Sequence, residues 1–289
     1  MTAQRSHLSP SPQPAPPAQP APAAQPPLLE TKGLSRTFGH GEHAVHAVKQ
    51  VSFHIQPGEI AAVVGESGSG KSTLARLILR LLEPTAGQIL LQGRDVTHLH
   101  RSQDLKAYWR KVQGVFQDPF AAVNQFYTNR RVLEKPFQLL DRKPPRAERD
   151  RRVESALVEV GLDPSDVLNK GPHQLSGGQL QRIMIARALV ADPALLIADE
   201  PTSMLDASLR VTVLNLLMDL RARHAMGILF ITHDLGQAFY ISDRILVMYR
   251  GELVEQGTVA EIASNPQHEY TRRLLADVPR LHAWGVEAA

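Results

Sequence analysis

Cysteine is absent from the chain, which excludes disulfides, thiolate-held metals and iron–sulfur clusters and is compatible with a reducing compartment. Long apolar runs are absent too: none approaches the ~18 residues that a membrane-spanning helix needs. Nor does one sign of charge dominate. With 32 basic against 29 acidic residues the net charge is +3, too even a balance to argue for nucleic acid as a partner. The amino-terminal residues have neither the apolar core of a secretion signal nor the arginine bias of a transit peptide. What remains is a chain of 289 residues, long enough to bury a substantial core in one or two domains.

Proline is concentrated rather than spread. Residues 9–27 carry nine of the 21 prolines, mixed with alanine and glutamine and almost without charge. Such a segment favours extended polyproline conformations and cannot supply a packed core. Residues 1–27 are therefore expected to form a disordered tail and 280–289 a short C-terminal one, on either side of a nucleotide-binding domain at 28–279.

The stretch that organises the rest is 65–73, GESGSGKST. It matches G-x-x-x-x-G-K-[ST] with Gly65, Gly70, Lys71 and Ser72 on the fixed positions. Before it, Ile60, Ala61, Ala62, Val63 and Val64 form an unbroken apolar run, as expected of a parallel strand buried on both faces. After it, Leu74, Leu77, Ile78, Leu81 and Leu82 recur at helical spacing. Strand, loop and helix in this order aim the backbone N–H groups of the loop, including those of Glu66, Ser67, Ser69 and Thr73, at one anion. A nucleotide's phosphates are that anion. Gly65, Gly68 and Gly70 admit close approaches that a Cβ blocks. Lys71 reaches the β- and γ-phosphate oxygens as a mobile point charge, and the Ser72 hydroxyl suits Mg²⁺.

Strands are expected at 28–38 and 45–55, where Val51, Phe53 and Ile55 alternate, giving a small antiparallel sheet beside the nucleotide. Phe38 near its end is either a ring for a base to stack on or an ordinary core residue. A strand at 88–92, a helix at 104–111 and a strand at 112–116 follow, the last delivering Gln117, which suits Mg²⁺ or the attacking water, or is a solvated loop residue. From 118 to about 190 the pattern is that of an inserted helical subdomain, through 132–140 and 148–160, with Gly161 as a terminating glycine. LSGGQ at 175–179 opens a helix to about 190, so that Ser176, Gly177 and Gly178 present a second set of exposed amides. One phosphate loop has no use for a second such set, which points to a nucleotide held by another subunit. An apolar strand at 195–198 ends in Asp199, where Mg²⁺ needs a second anchor, and Glu200, which can act as general base towards water. The loop 203–206 precedes a helix at 208–223, and a strand at 228–231 ends near His233, which either reaches a γ-phosphate or is a surface residue.

This ordered set closely resembles the ATPase subunit of ABC transporters from residue 28 to about 279. The resemblance implies an α/β fold, a P-loop NTPase core with an antiparallel β subdomain and an inserted helical subdomain, binding ATP and Mg²⁺. It implies that Phe38 stacks on adenine, that Ser72, Gln117 and Asp199 are associated with Mg²⁺, that Glu200 is the catalytic base and that His233 is the switch histidine. Ser176, Gly177, Gly178 and Gln179 would contact ATP held by the opposite subunit, and Asp206 would be a further nucleotide-binding residue.

A finer resemblance is to the oligopeptide, dipeptide and nickel importers, through VFQDPFAAVNQF at 115–126, GPHQLSGGQLQR at 171–182 and NPQHEYTRRLLADVP at 265–279. It implies two integral-membrane permeases, a second ABC ATPase subunit and, indirectly, a solute-binding protein as partners, no nucleic acid, and a place at the cytoplasmic face of the membrane. The chain departs from that pattern in lacking a proline near Gln125, a small residue at Met204 and a C-terminal cysteine cluster. A soluble ABC-type ATPase of DNA repair or translation would carry coiled-coil inserts or two cassettes, and neither is present. A kinase or GTPase has no job for LSGGQ. Importers of nickel or a sugar share these motifs and remain alternatives.

Overall fold

The computed structural model describes residues 26–276; nearly all of the tail expected at 1–27, and the one at 280–289, lie outside them. Leu29–Phe38 (β1) and Val45–Ile55 (β2) pair antiparallel, with Leu29 opposite Ile55 and Phe38 opposite Val45. Ile60–Val64 (β3) runs through the glycine loop into Lys71–Ile78 (α1). Ala86–Leu91 (β4) joins β1, and Arg94–Asp95 (β5) joins β4, completing a four-stranded sheet in the order β2-β1-β4-β5. Ser102–Lys111 (α2) leads to Val112–Val115 (β6). The chain then leaves the strands for Asn129–Leu133 (α3), Arg146–Glu159 (α4), Pro164–Val167 (α5) and Gly177–Leu189 (α6), and returns as Leu195–Asp199 (β7). Ala207–His224 (α7), Gly227–Thr232 (β8), Leu235–Ile241 (α8), Arg244–Tyr249 (β9), Glu252–Thr258 (β10), Val259–Ser264 (α9) and Glu269–Ala276 (α10) complete the described order.

The second sheet has the order β10-β9-β3-β8-β7-β6. Its pairs are parallel except β9 with β10. The apolar runs of its central strands are explained by cover on both faces. Ile60, Ala62 and Val64 of β3 pack into one core with Leu180, Ile183 and Leu217 from α6 and α7, while Ala61 and Val63 pack into another with Leu74, Leu77 and Ile89. Strands β7, β8 and β9 divide in the same alternating way, the period-two consequence of side chains leaving a strand on opposite faces.

The helical middle differs from the sequence pattern in one respect. The continuous helix expected over 132–140 is broken into α3 and a 3₁₀ segment, Lys135–Leu139. Pro136 is the cause, since it has no N–H to donate and disfavours helical angles at the residue before it. The end of α4 is as expected: Gly161 N–H donates to the Val158 carbonyl and Leu162 N–H to that of Leu157, closing the helix.

Candidate nucleotide site

Strand register gathers the site. Val64 lies opposite Thr232, Asp199 opposite Ile231 and Val115 opposite Ala198, so β3, β7, β8 and β6 end side by side. The residues that follow them, Gly65, Glu200, His233 and Gln117, therefore emerge along one edge, the carboxyl end of a parallel sheet where ligands bind in open α/β folds. All four line one cleft with Glu66, Ser67, Gly68, Gly70, Lys71, Ser72 and Thr73, and its volume is about 1280 Å³. That exceeds the roughly 300–1,000 Å³ of an ordinary small-molecule site, and Glu66, Ser67, Gly68, Ser72 and His233 in it remain exposed.

The loop's shape depends on close approach. At Gly65 φ is +150°, and a Cβ there would fall 2.2 Å from the Met248 carbonyl oxygen; at Gly70, with φ +104°, it would fall 2.3 Å from the Ala47 carbonyl oxygen. Lys71 is buried and donates to the carbonyls of Gly65 and Glu66, at 2.7 and 2.8 Å. Burial lowers its pKa, partly offset by Glu200, Asp199 and Glu66 nearby. An ammonium so desolvated is poised for an anion in place of carbonyl oxygens.

The Ser72 hydroxyl donates to Asp199 Oδ1 at 3.2 Å. Burial pushes the Asp199 carboxyl above the ordinary carboxylate range, and the Ser72 bond acts against that shift. A hydroxyl and a buried carboxylate facing each other at the foot of the phosphate loop suit a hard cation that takes one or two protein oxygens and completes its shell with phosphate and water. No group of three or more histidine or acidic side chains is placed to hold a metal ion among the described residues, so an all-protein metal cage is not what is offered. Glu200 has φ +48°, and His233 Nδ1 lies 3.1 Å from its Oε1. An ionised carboxylate only accepts, so the histidine donates here.

Other expected residues lie elsewhere. Phe38 is exposed at the end of β1 with the Arg36 guanidinium 4.7 Å from its ring centre, and it does not line the cleft. Ser176 caps α6: its hydroxyl accepts from Gln179 N–H, and the Gln179 side chain accepts from Ser176 N–H, at 3.2 and 3.0 Å. Asp206 caps α7. The two helix starts touch, since a Cβ at Gly178 would lie 2.9 Å from Leu209. None of Ser176, Gly177, Gly178, Gln179 or Asp206 lines the cleft that holds the phosphate loop.

A model of the ABC transporter family matches residues 48–203, which span the phosphate loop, LSGGQ and the strand ending in Asp199. The chain belongs to the ABC transporter family. Among relatives of this ABC ATPase, the putative peptide import ATP-binding protein BOV_A0347 of Brucella ovis is 43% identical over 253 residues, covering 88% of the chain and 79% of the relative. The oligopeptide transport ATP-binding protein AppF of Bacillus subtilis is 46% identical over 235 residues, covering 81% and 71%. Among solved structures, the ATP-binding cassette MJ0796, a dimer in a post-hydrolysis state bound to ADP and Pi, superposes with a TM-score of 0.73 at 30% identity, covering 80% of the chain and 98% of that structure.

The cleft of the ABC ATPase is also lined by residues that its motifs did not announce. Val45, His46 and Ala47 of β2, Arg250 of the β9–β10 turn, and Arg273 and Leu274 of α10 line the cleft. Only the last two had a sequence signal, the phrase at 265–279.

Proposed function

We propose that this chain is the ATP-hydrolysing subunit of an importer for a peptide-like solute, working in a pair of cassettes beside two permease subunits at the cytoplasmic face of the membrane, with a solute-binding protein upstream. The observation that carries the reading is the convergence of Lys71, Ser72, Glu200 and His233 on one cleft, with Asp199 bonded to Ser72 behind it, in an ABC transporter chain. The names of the relatives favour a peptide over nickel or a sugar. We take residues 28–279 as the nucleotide-binding domain, with its helical subdomain at about 118–190.

In this reading the loop amides and Lys71 bind the β- and γ-phosphates. Ser72, Asp199 and Gln117 would hold Mg²⁺, which when bound supplies charge neutralisation at the phosphate oxygens. Glu200 accepts a proton from water as the water oxygen attacks the γ-phosphorus and the bond to the ADP oxygen breaks. His233 orients the carboxylate through Nδ1 and stands ready to contact the γ-phosphate. Ser176, Gly177, Gly178, Gln179 and Asp206 close a second cassette's nucleotide, and Phe38 offers its ring to adenine.

Nothing among the described helices is long and apolar enough to cross a membrane; in this reading the permeases do. A groove of about 410 Å³ lined by Ala122, Val123, Tyr127, Pro136 and Leu139 lies beside Phe126, whose ring is 97% exposed. Gln113, Asn124, Lys135, Gln138 and Arg187 complete the lining, and we take this exposed aromatic beside a groove of mixed polarity as the contact surface for the permease.

Pairing is tested by mixing a Lys71→Ala chain with a Ser176→Arg chain, or the same two changes placed in this chain and its paralogue. Each alone should be inactive. A mixed pair holds one site with both defects and one with neither, so partial recovery is expected. No recovery, with pairing confirmed, would mean that LSGGQ serves its own chain.

A further inference from the structure

We propose that α10 is a working part of the nucleotide site and that Tyr270 is a positioning residue for the phosphate loop. The inference rests on the nucleotide reading above and assigns a role to the phrase NPQHEYTRRLLADVP, which that reading leaves unused.

The Tyr270 hydroxyl accepts a hydrogen bond from Glu66 N–H at 2.8 Å, so this amide, expected to face the phosphates, is engaged by α10 instead. From the other side of the same residue, the Glu66 carbonyl accepts from Lys71 at 2.8 Å. Glu66 is thus held at both its N–H and its C=O. Nucleotide binding must draw the Lys71 ammonium towards phosphate, which loosens its hold on the Glu66 carbonyl just when the loop has to keep its amides aimed at the anion. The Tyr270 bond does not involve the lysine and stays.

Tyr270 is itself firmly placed. It is buried, and its ring stacks on Tyr249 with centres 4.2 Å apart and planes 26° from parallel. Tyr249 ends β9, the strand beside β3, and the Arg250 guanidinium lies 5.0 Å from its ring centre. The start of α10 is tied down by Glu255 of β10, whose carboxylate accepts from Gln267 N–H at 2.6 Å and His268 N–H at 3.0 Å. One turn beyond Tyr270, Arg273 and Leu274 line the cleft itself. The helix therefore reaches the loop from a sheet-anchored base, as preorganisation of a binding site requires.

Tyr270→Phe keeps the ring and its stack and deletes only the acceptor. Titrating the purified full chain with trinitrophenyl-ATP, the variant's Kd should rise roughly three- to tenfold, the range for one lost hydrogen bond. Stoichiometry should stay unchanged, and in turnover the effect should fall on KM rather than kcat. Inorganic tripolyphosphate used as competitor should lose the same factor, because the contact serves the phosphate end. Hydrogen exchange at the Glu66 amide should quicken. An unchanged Kd, a lower stoichiometry at constant Kd, or a loss seen with ATP but not with tripolyphosphate would overturn the proposal. If Tyr270→Phe does not fold, Glu255→Gln replaces it: it loosens the base of the helix and should weaken binding in the same direction by a smaller factor, and unchanged affinity there overturns the proposal equally. Failure of the nucleotide reading is separate, for then the parent chain would not bind ATP or Lys71→Ala would bind as the parent does.

Discussion

Replacing Gly65 with alanine asks the phosphate loop to take one methyl group where none fits, while the same change at Gly68 asks only for a change of backbone preference. At Gly65 the added Cβ would lie 2.2 Å from the Met248 carbonyl oxygen, at φ +150°. That is more than about 1 Å inside van der Waals contact, and the obstacle is backbone at the end of β9, which moves only by displacing the sheet. Strain at a disfavoured φ and overpacking cost roughly 1–3 kcal/mol each, so about 4 kcal/mol is expected. At Gly68 φ is +81° but nothing lies within 4 Å of the added atom, leaving only the left-handed penalty of about 1–2 kcal/mol. In a chain of this size each kcal/mol moves Tm by roughly 2–4 °C. Calorimetry of the nucleotide-free chain should give a drop of about 8–16 °C for Gly65→Ala and about 2–8 °C for Gly68→Ala. Equal drops, or the larger one at Gly68, would refute the steric reasoning.

Asp199→Asn should split stability from catalysis. Burial raises the Asp199 carboxyl above the ordinary carboxylate value, so the stability it contributes is fully present below that value and is lost as pH rises through the higher folded value. The neutral amide should remove that slope, raise the nucleotide-free Tm at neutral pH and abolish the Mg²⁺ dependence of nucleotide affinity; a lower Tm would contradict it. Phe126→Ser should leave thermal stability and nucleotide affinity of the isolated chain as they are, because the ring is 97% exposed, and should prevent co-purification with the membrane subunits; retained co-purification would move the permease contact elsewhere.

Much of the site was legible because its chemistry is local. The spacing of 65–73, the apolar run before it and the carboxylates ending β7 each declare themselves within a few residues. The fold was legible where burial is two-sided, as in Ile60–Val64. Pairings distant in sequence were not: that Val64 lies opposite Thr232, bringing His233 to the loop, follows from sheet order, which no local pattern encodes. Tyr270 was hidden for the same reason, since its partner Glu66 is on another element. The helix expected over 132–140 failed at Pro136, where the apolar periodicity outvoted a residue that cannot donate.

Glu200→Gln tests most directly whether this chain hydrolyses ATP by the proposed chemistry. The amide has the shape of the carboxylate and keeps an oxygen for the His233 Nδ1 contact, 3.1 Å long in the parent, but it cannot take a proton from water. Measured together, nucleotide affinity should stay within about threefold of the parent, while steady-state phosphate release should fall by at least the ~10² of a removed general base. Phosphate release near the parental rate, with affinity intact, would contradict the assignment of the base to Glu200 and with it the mechanism built on this cleft.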